Sequence, residues 1–157
     1  MGVETMAMAA IGATALGAIQ GSQAAKDAGK AEQQLWNLNA QSLNYQAESA
    51  IERGRIDVAD FRTDVSRLMG AQKAGAAAQN IDVNSGSALE VRADTARQAE
   101  EDIERIRHNA KLEAWGFSNE ATQATYQGKL AKLAGKNKAK GTLLGGAADI
   151  FSMGAKF

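Results

Sequence analysis

No proline interrupts this chain anywhere in its 157 residues, and a cluster of turn-forming residues sits near its middle. Without proline every backbone N–H stays available for helical hydrogen bonding, so only a local change of residue type can stop a helix. That change falls at residues 79–90, where Asn80, Asp82, Asn84, Ser85 and Gly86 replace helix formers. Such side chains compete for backbone hydrogen bonds or tolerate positive φ. Ser87 and Glu90 have the spacing of a capping box, in which hydroxyl and carboxylate each satisfy the other residue's N–H. Ile81 and Val83 are the apolar residues of the turn and would cover the end of a shared core. The stretch predicts the tip of a helical hairpin.

Two arms of helical rhythm flank this tip. On the first, Trp36, Ala40, Leu43, Ala47, Ala50, Gly54, Val58, Phe61, Val65, Leu68, Gln72 and Ala76 recur at threes and fours. On the second the same spacing joins Leu89, Ala93, Ala96, Ala99, Ile103, Ile106, Ala110, Ala114, Phe117, Ala121, Ala124, Gly128 and Ala131. An extra four-residue step near Gly54 relaxes any left-handed supercoil, and a glycine there lowers helix stability by about 1 kcal/mol, a candidate bend. With the turn centred near Val83, Phe61 belongs opposite Ile103 and Ile106 as the hairpin core, and Trp115 at the level of Ile51. Alternating charges from Glu52 to Arg67 and from Glu100 to Arg107 read as solvated faces, with Glu101 and Arg105 at the favourable i,i+4 spacing.

Composition limits the core. The chain is 45% hydrophobic but only 5% aromatic, so alanine and glycine supply much of the apolar count. Small side chains bury little area each, which favours slender helices packed on one another or on neighbours. The fold class expected is therefore all-α: a long antiparallel hairpin with Ala/Gly-rich, weakly hydrophobic termini, assembling into an oligomeric bundle. Its segments are 1–29 (apolar), 30–79 (helix), 80–86 (turn), 87–134 (helix) and 135–157 (basic, then Gly-rich and apolar).

Residues 5–25 carry no charge, but their apolar centre is short of the roughly 20 residues that cross a bilayer comfortably. No basic residue precedes it, a poor fit to a secretory signal. Ala9, Ala13, Gly17 and Gly21 recur every four residues, which allows close helix approach in water or in lipid. Near the other end Lys129, Lys132, Lys136, Lys138 and Lys140 accumulate without an acid between Glu120 and Asp149. Those lysines suit anionic lipid, DNA phosphates or simple solvation of a helix end. The residues expected to pack in membrane or oligomer are Ile11, Gly12, Leu16, Gly17, Ile19, Gly21, Leu143, Leu144, Ile150 and Phe151.

Acidic and basic residues balance at 18 each, so net charge does not demand a nucleic-acid partner. There is no cysteine, and His108 is the only histidine, so the chain lacks a zinc-ligand set. Ser85 and Ser87 are explained by turn and cap, and Glu100, Glu101 and Asp102 by a solvated face. The glycine-rich stretches lack the Lys-Ser/Thr of a phosphate loop. No catalytic, metal or cofactor site is expected.

The order of these parts resembles the small internal virion (ejection or core) proteins of short-tailed, podovirus-type bacteriophages. The resemblance rests on the Ala/Gly-rich N-terminus, the long helix running into Gly75-Ala-Ala-Ala-Gln-Asn-Ile-Asp-Val-Asn-Ser-Gly-Ser-Ala-Leu89, the Ala/Glu/Arg-rich helix beyond it, and the Leu143-Leu-Gly-Gly-Ala-Ala148 tail. It implies a protein stored in the capsid near the portal and ejected to help form a channel across the host envelope. The implied partners are copies of itself, other internal virion proteins, the portal and the host outer membrane, with DNA as a passing, non-specific contact. A purely structural coiled-coil or portal-associated scaffold is the alternative. A packaging role through Lys129–Lys140 is a third, which the balanced charge disfavours.

Overall fold

A computed structural model describes the backbone of residues 2–82 and 86–154, and the side chains of residues 14–82 and 86–152. Two α-helices, α1 (Gly2–Ala78) and α2 (Gly86–Gly154), pack against each other as a hairpin. The boundaries expected at 29/30 and 134/135 fall inside these continuous helices.

The end of α1 is closed by backbone geometry. Asn80 takes a left-handed φ of 55°, its N–H bonds the Ala77 carbonyl, and the Ile81 N–H reaches back to the Ala76 carbonyl at 3.0 Å. This pair of bonds is a Schellman motif, with Asn80 where glycine is commonest. Gly86 has φ 59° at the start of α2, the positive φ expected of it. The capping box does not form there: Ser87 lies inside the helix, exposed, because the helix starts one residue earlier. Asp82 and Glu90 are also exposed, while Val83, Asn84 and Ser85 lie outside the described residues.

The chain divides into two units, Leu43–Asn119 and a terminal unit of Met1–Ser42 with Glu120–Phe157. In Leu43–Asn119, Ala47, Ala50 and Ala114 form a core cluster against which Phe117 packs. Val58, Ala99 and Ile103 are buried too, and Ile103, 1% exposed, is the largest fully buried side chain. Phe61 and Ile106 are half-buried on the same seam. Gly54, read from the sequence as a candidate bend, has a packing reason: a Cβ on it would overlap the Cβ of Ala110. Arg53 and Glu113 form an ion pair between the helices. Trp115, next to buried Ala114, points outward and is 67% exposed.

Near the tip the seam departs from expectation. Met69, not Leu68, faces inward, and Leu68 is 50% exposed. Two successive four-residue steps, from Phe61 through Val65 to Met69, keep the stripe on the partner, whereas a three-residue step turns it away. On α2 the inward positions are Ala88, Arg92 and Thr95 instead of Leu89, Ala93 and Ala96. Gln72 Nε2 donates to Thr95 Oγ1 across the hairpin, and that hydroxyl donates to the Val91 carbonyl. A polar pair thus holds the seam here, Gln72 where the spacing puts it and Thr95 at a position that a pattern of apolar side chains passes over. From Ala99 to Phe117 the inward residues are those the spacing predicts.

In the terminal unit the helices approach through very small residues. Trp36 meets Gly128, Gly29 meets Gly135 and Ala18 meets Gly146, so numbers fall on α1 as they rise on α2. Ala40, Ala121, Ala124 and Ala139 are buried here. Ser22 is buried with its hydroxyl donated to the Ile19 carbonyl at 2.9 Å, which satisfies it within the helix.

Candidate functional site

The residues expected to pack in membrane or oligomer sort into two kinds. Gly21 lies against Thr142 within the chain, and Ile150 is half-buried. Leu16, Ile19 and Leu143 are exposed, as are Leu144 at 72% and Phe151 at 78%, and Gly17 has nothing near its Cβ position. The side chains of Ile11 and Gly12 lie outside the described residues. Among the described residues no helix is long and apolar enough to cross a membrane.

Further apolar side chains face outward. Leu35 and Leu38 on α1, and Tyr126, Leu130 and Leu133 on α2, are exposed in the terminal unit. Their spacings of three and four place each set on one helical face.

Charge is distributed by type. Every arginine lies in Leu43–Asn119, while the basic residues of the terminal unit are all lysines. The arginines pair locally: Arg55 with Glu52, Arg67 with Asp64, Arg97 with Asp94 and Arg107 with Glu104, each at i,i+3. Arg105 pairs with Asp102, not with Glu101 at i,i+4 as the spacing implied. Such exposed pairs contribute about 0–1 kcal/mol each.

Several grooves run between the helices among the described residues. In Leu43–Asn119 one of about 390 Å³ is lined by Ile51, Val58, Ala110, Arg62 and Lys111 among others. In the terminal unit another, of about 260 Å³, is lined by Lys26, Lys30, Lys132, Lys136, Lys140 and Leu143. Only Lys30 among these lysines has an ion pair among the described residues, to Asp27 at 3.2 Å. Sequence reading found the α2 lysines but missed Lys26 and Lys30, which join them only once the hairpin register is known. His108, Glu100 and Glu101 are exposed, and among the described residues no acidic or histidine cluster is placed to hold a metal.

The model of the T7 virus internal virion protein gp14 family matches residues 1–157. No curated protein matches the chain, and no solved structure does.

Proposed function

Since the chain belongs to the T7 virus internal virion protein gp14 family and is an internal virion protein of a bacteriophage, we propose that it is ejected from the capsid to help form a channel across the host envelope for genome delivery. In this reading it waits near the portal with the other internal virion proteins, acts without catalysis, and works as a homo-oligomer. The observation that carries the reading is the terminal unit. It gathers both weakly apolar chain ends, with Leu16, Ile19, Leu144 and Phe151 facing outward.

The ends have a physical reason to act together. Alanine and glycine gain little on transfer to lipid, and no single helix here is apolar enough to span. Membrane entry therefore needs several hairpins whose backbones pack closely through small residues, with Gly17 open for such a contact. A charged side chain at a bilayer centre costs about 2.5–3.5 kcal/mol on insertion scales, so the ion-paired surface of Leu43–Asn119 stays in water or in a polar lumen.

The test is dye release from lipid vesicles by the full chain and by versions lacking residues 1–25 or 141–157. The full chain should release dye and both shortened chains should lose that activity, since each removal strips the partner from the other helix end. Equal release by all three, or none by the full chain in any lipid, would favour the structural scaffold.

A further inference from the structure

We propose that the lysine groove of the terminal unit is a headgroup site, in which α1 and α2 jointly bind the phosphates of anionic lipids and set how deep the chain ends sit. The inference rests on the membrane reading above and gives it a ligand class.

Three observations converge on it. First, Lys26 and Lys30 from α1 and Lys132, Lys136 and Lys140 from α2 line one groove of about 260 Å³ with Leu143. Of these only Lys30 forms an ion pair among the described residues, to Asp27, and five lysines share the groove with that one acid beside them, so positive charge is in excess. Second, the basic residues here are lysines without a single arginine. A lysine stem lies along apolar surface while its ammonium reaches water, the arrangement that suits a membrane interface.

Third, the same helical faces become apolar toward the chain ends. On α1, Ile19, Gln23, Lys26 and Lys30 follow one another at fours and threes, and Ile19 is exposed. On α2, Lys136, Lys140, Leu143, Ala147 and Phe151 do the same, and Leu143 and Phe151 are exposed. From the nearest groove lysine the exposed apolar side chain lies about 10 Å along α1 (Lys26 to Ile19) and about 16 Å along α2 (Lys140 to Phe151), at 1.5 Å per residue. One leaflet of hydrocarbon is about 15 Å thick. With the ammonium groups of Lys26 and Lys140 at the phosphates, Ile19 falls within one leaflet and Phe151 at about its full depth. Duplex DNA would use the same charges but leave Leu143, Ile19 and Phe151 unexplained, and no arginine, asparagine or glutamine lines the groove to read a base.

Flotation with vesicles of phosphatidylcholine alone, or mixed with phosphatidylglycerol, tests the site in the full-length chain. Each lysine near an anionic surface changes partitioning by about fivefold. The triple variant Lys132→Gln, Lys136→Gln, Lys140→Gln should therefore bind the anionic vesicles about a hundredfold more weakly. Adding Lys26→Gln on the other helix should weaken binding further. Lys138→Gln, one charge removed on the same helix but outside the groove, should have far less effect than Lys136→Gln alone. Circular dichroism verifies that each variant stays helical. Wild-type binding by the triple variant, or a loss from Lys138→Gln equal to that from Lys136→Gln, would overturn the site. So would DNA binding that the groove variants abolish while vesicle binding persists. Lysine-dependent binding without dye release would leave the site standing and remove the channel. Dye release that the groove variants share equally would do the reverse.

Discussion

Gly29 and Gly135 face each other so closely that a Cβ on Gly29 would lie 2.9 Å from the Gly135 Cα, and one on Gly135 2.8 Å from the Ala25 carbonyl oxygen. The two backbones are in contact here, and no side chain fits between them. Gly54 and Gly146 each meet an alanine in the same manner, within their own units. Glycine in a helix interior costs about 1 kcal/mol relative to alanine, so its presence at these positions reflects packing.

That contrast gives a crossed prediction. Gly54→Ala and Gly29→Ala should destabilise the hairpin, because overpacking costs about 1–3 kcal/mol and exceeds the gain in helix propensity. Gly70→Ala and Gly75→Ala, where a Cβ meets open space, should stabilise by up to about 1 kcal/mol. Urea denaturation followed by circular dichroism reads both signs, and one sign at all four positions would contradict the packing.

The tip separates two kinds of turn residue. Asn80 holds a left-handed φ that a β-branched side chain resists, so Asn80→Val should cost about 1–2 kcal/mol and Asn80→Gly little or nothing. Ser87→Ala, which would cost about 1 kcal/mol were Ser87 a helix cap, should stay within about 0.5 kcal/mol because Ser87 is exposed inside the helix. Thermal melts of the three variants decide between cap and interior.

Along the seam, Ile103→Ala should cost about 2–5 kcal/mol, as removal of a fully buried branched side chain does. Met69→Ala should cost more than Leu68→Ala, although leucine is the more hydrophobic-looking choice in the sequence. Equal losses at 68 and 69 would mean that the inward face near the tip is wrongly placed.

The outward apolar faces predict self-association. Leu35→Glu with Leu130→Glu changes neither buried seam residue nor turn, and should convert an oligomer to a smaller species in sedimentation velocity without loss of helicity. Gly17→Leu should also impair assembly although it raises hydrophobicity, the opposite of its effect on a simple anchor. A monomer before substitution, at every concentration reached, would remove the oligomer from the account.

Much of the hairpin was legible because small and apolar residues recur at threes and fours on both arms, and turn formers cluster between them. Where the seam of α2 is polar the signal fails: Thr95 and Arg92 occupy inward positions through register and hydrogen bonding, not through hydrophobicity, whereas Gln72 falls on the α1 seam by spacing alone. Glycine is ambiguous in a sequence, since the same residue marks the end of a segment or a close approach of backbones. Gly29 and Gly135 carry no such mark in the sequence, and in the structure they are a contact. The lysine groove was half legible, since Lys26 and Lys30 are remote from the α2 lysines along the chain and only the antiparallel register brings them together.

Conductance across a planar bilayer containing anionic lipid, with the full-length chain added to one side, tests the central claim most directly. The account predicts discrete conductance steps that appear cooperatively with concentration and are lost when residues 1–25 or 141–157 are removed. A chain that binds the bilayer and leaves its conductance unchanged at every concentration would contradict it.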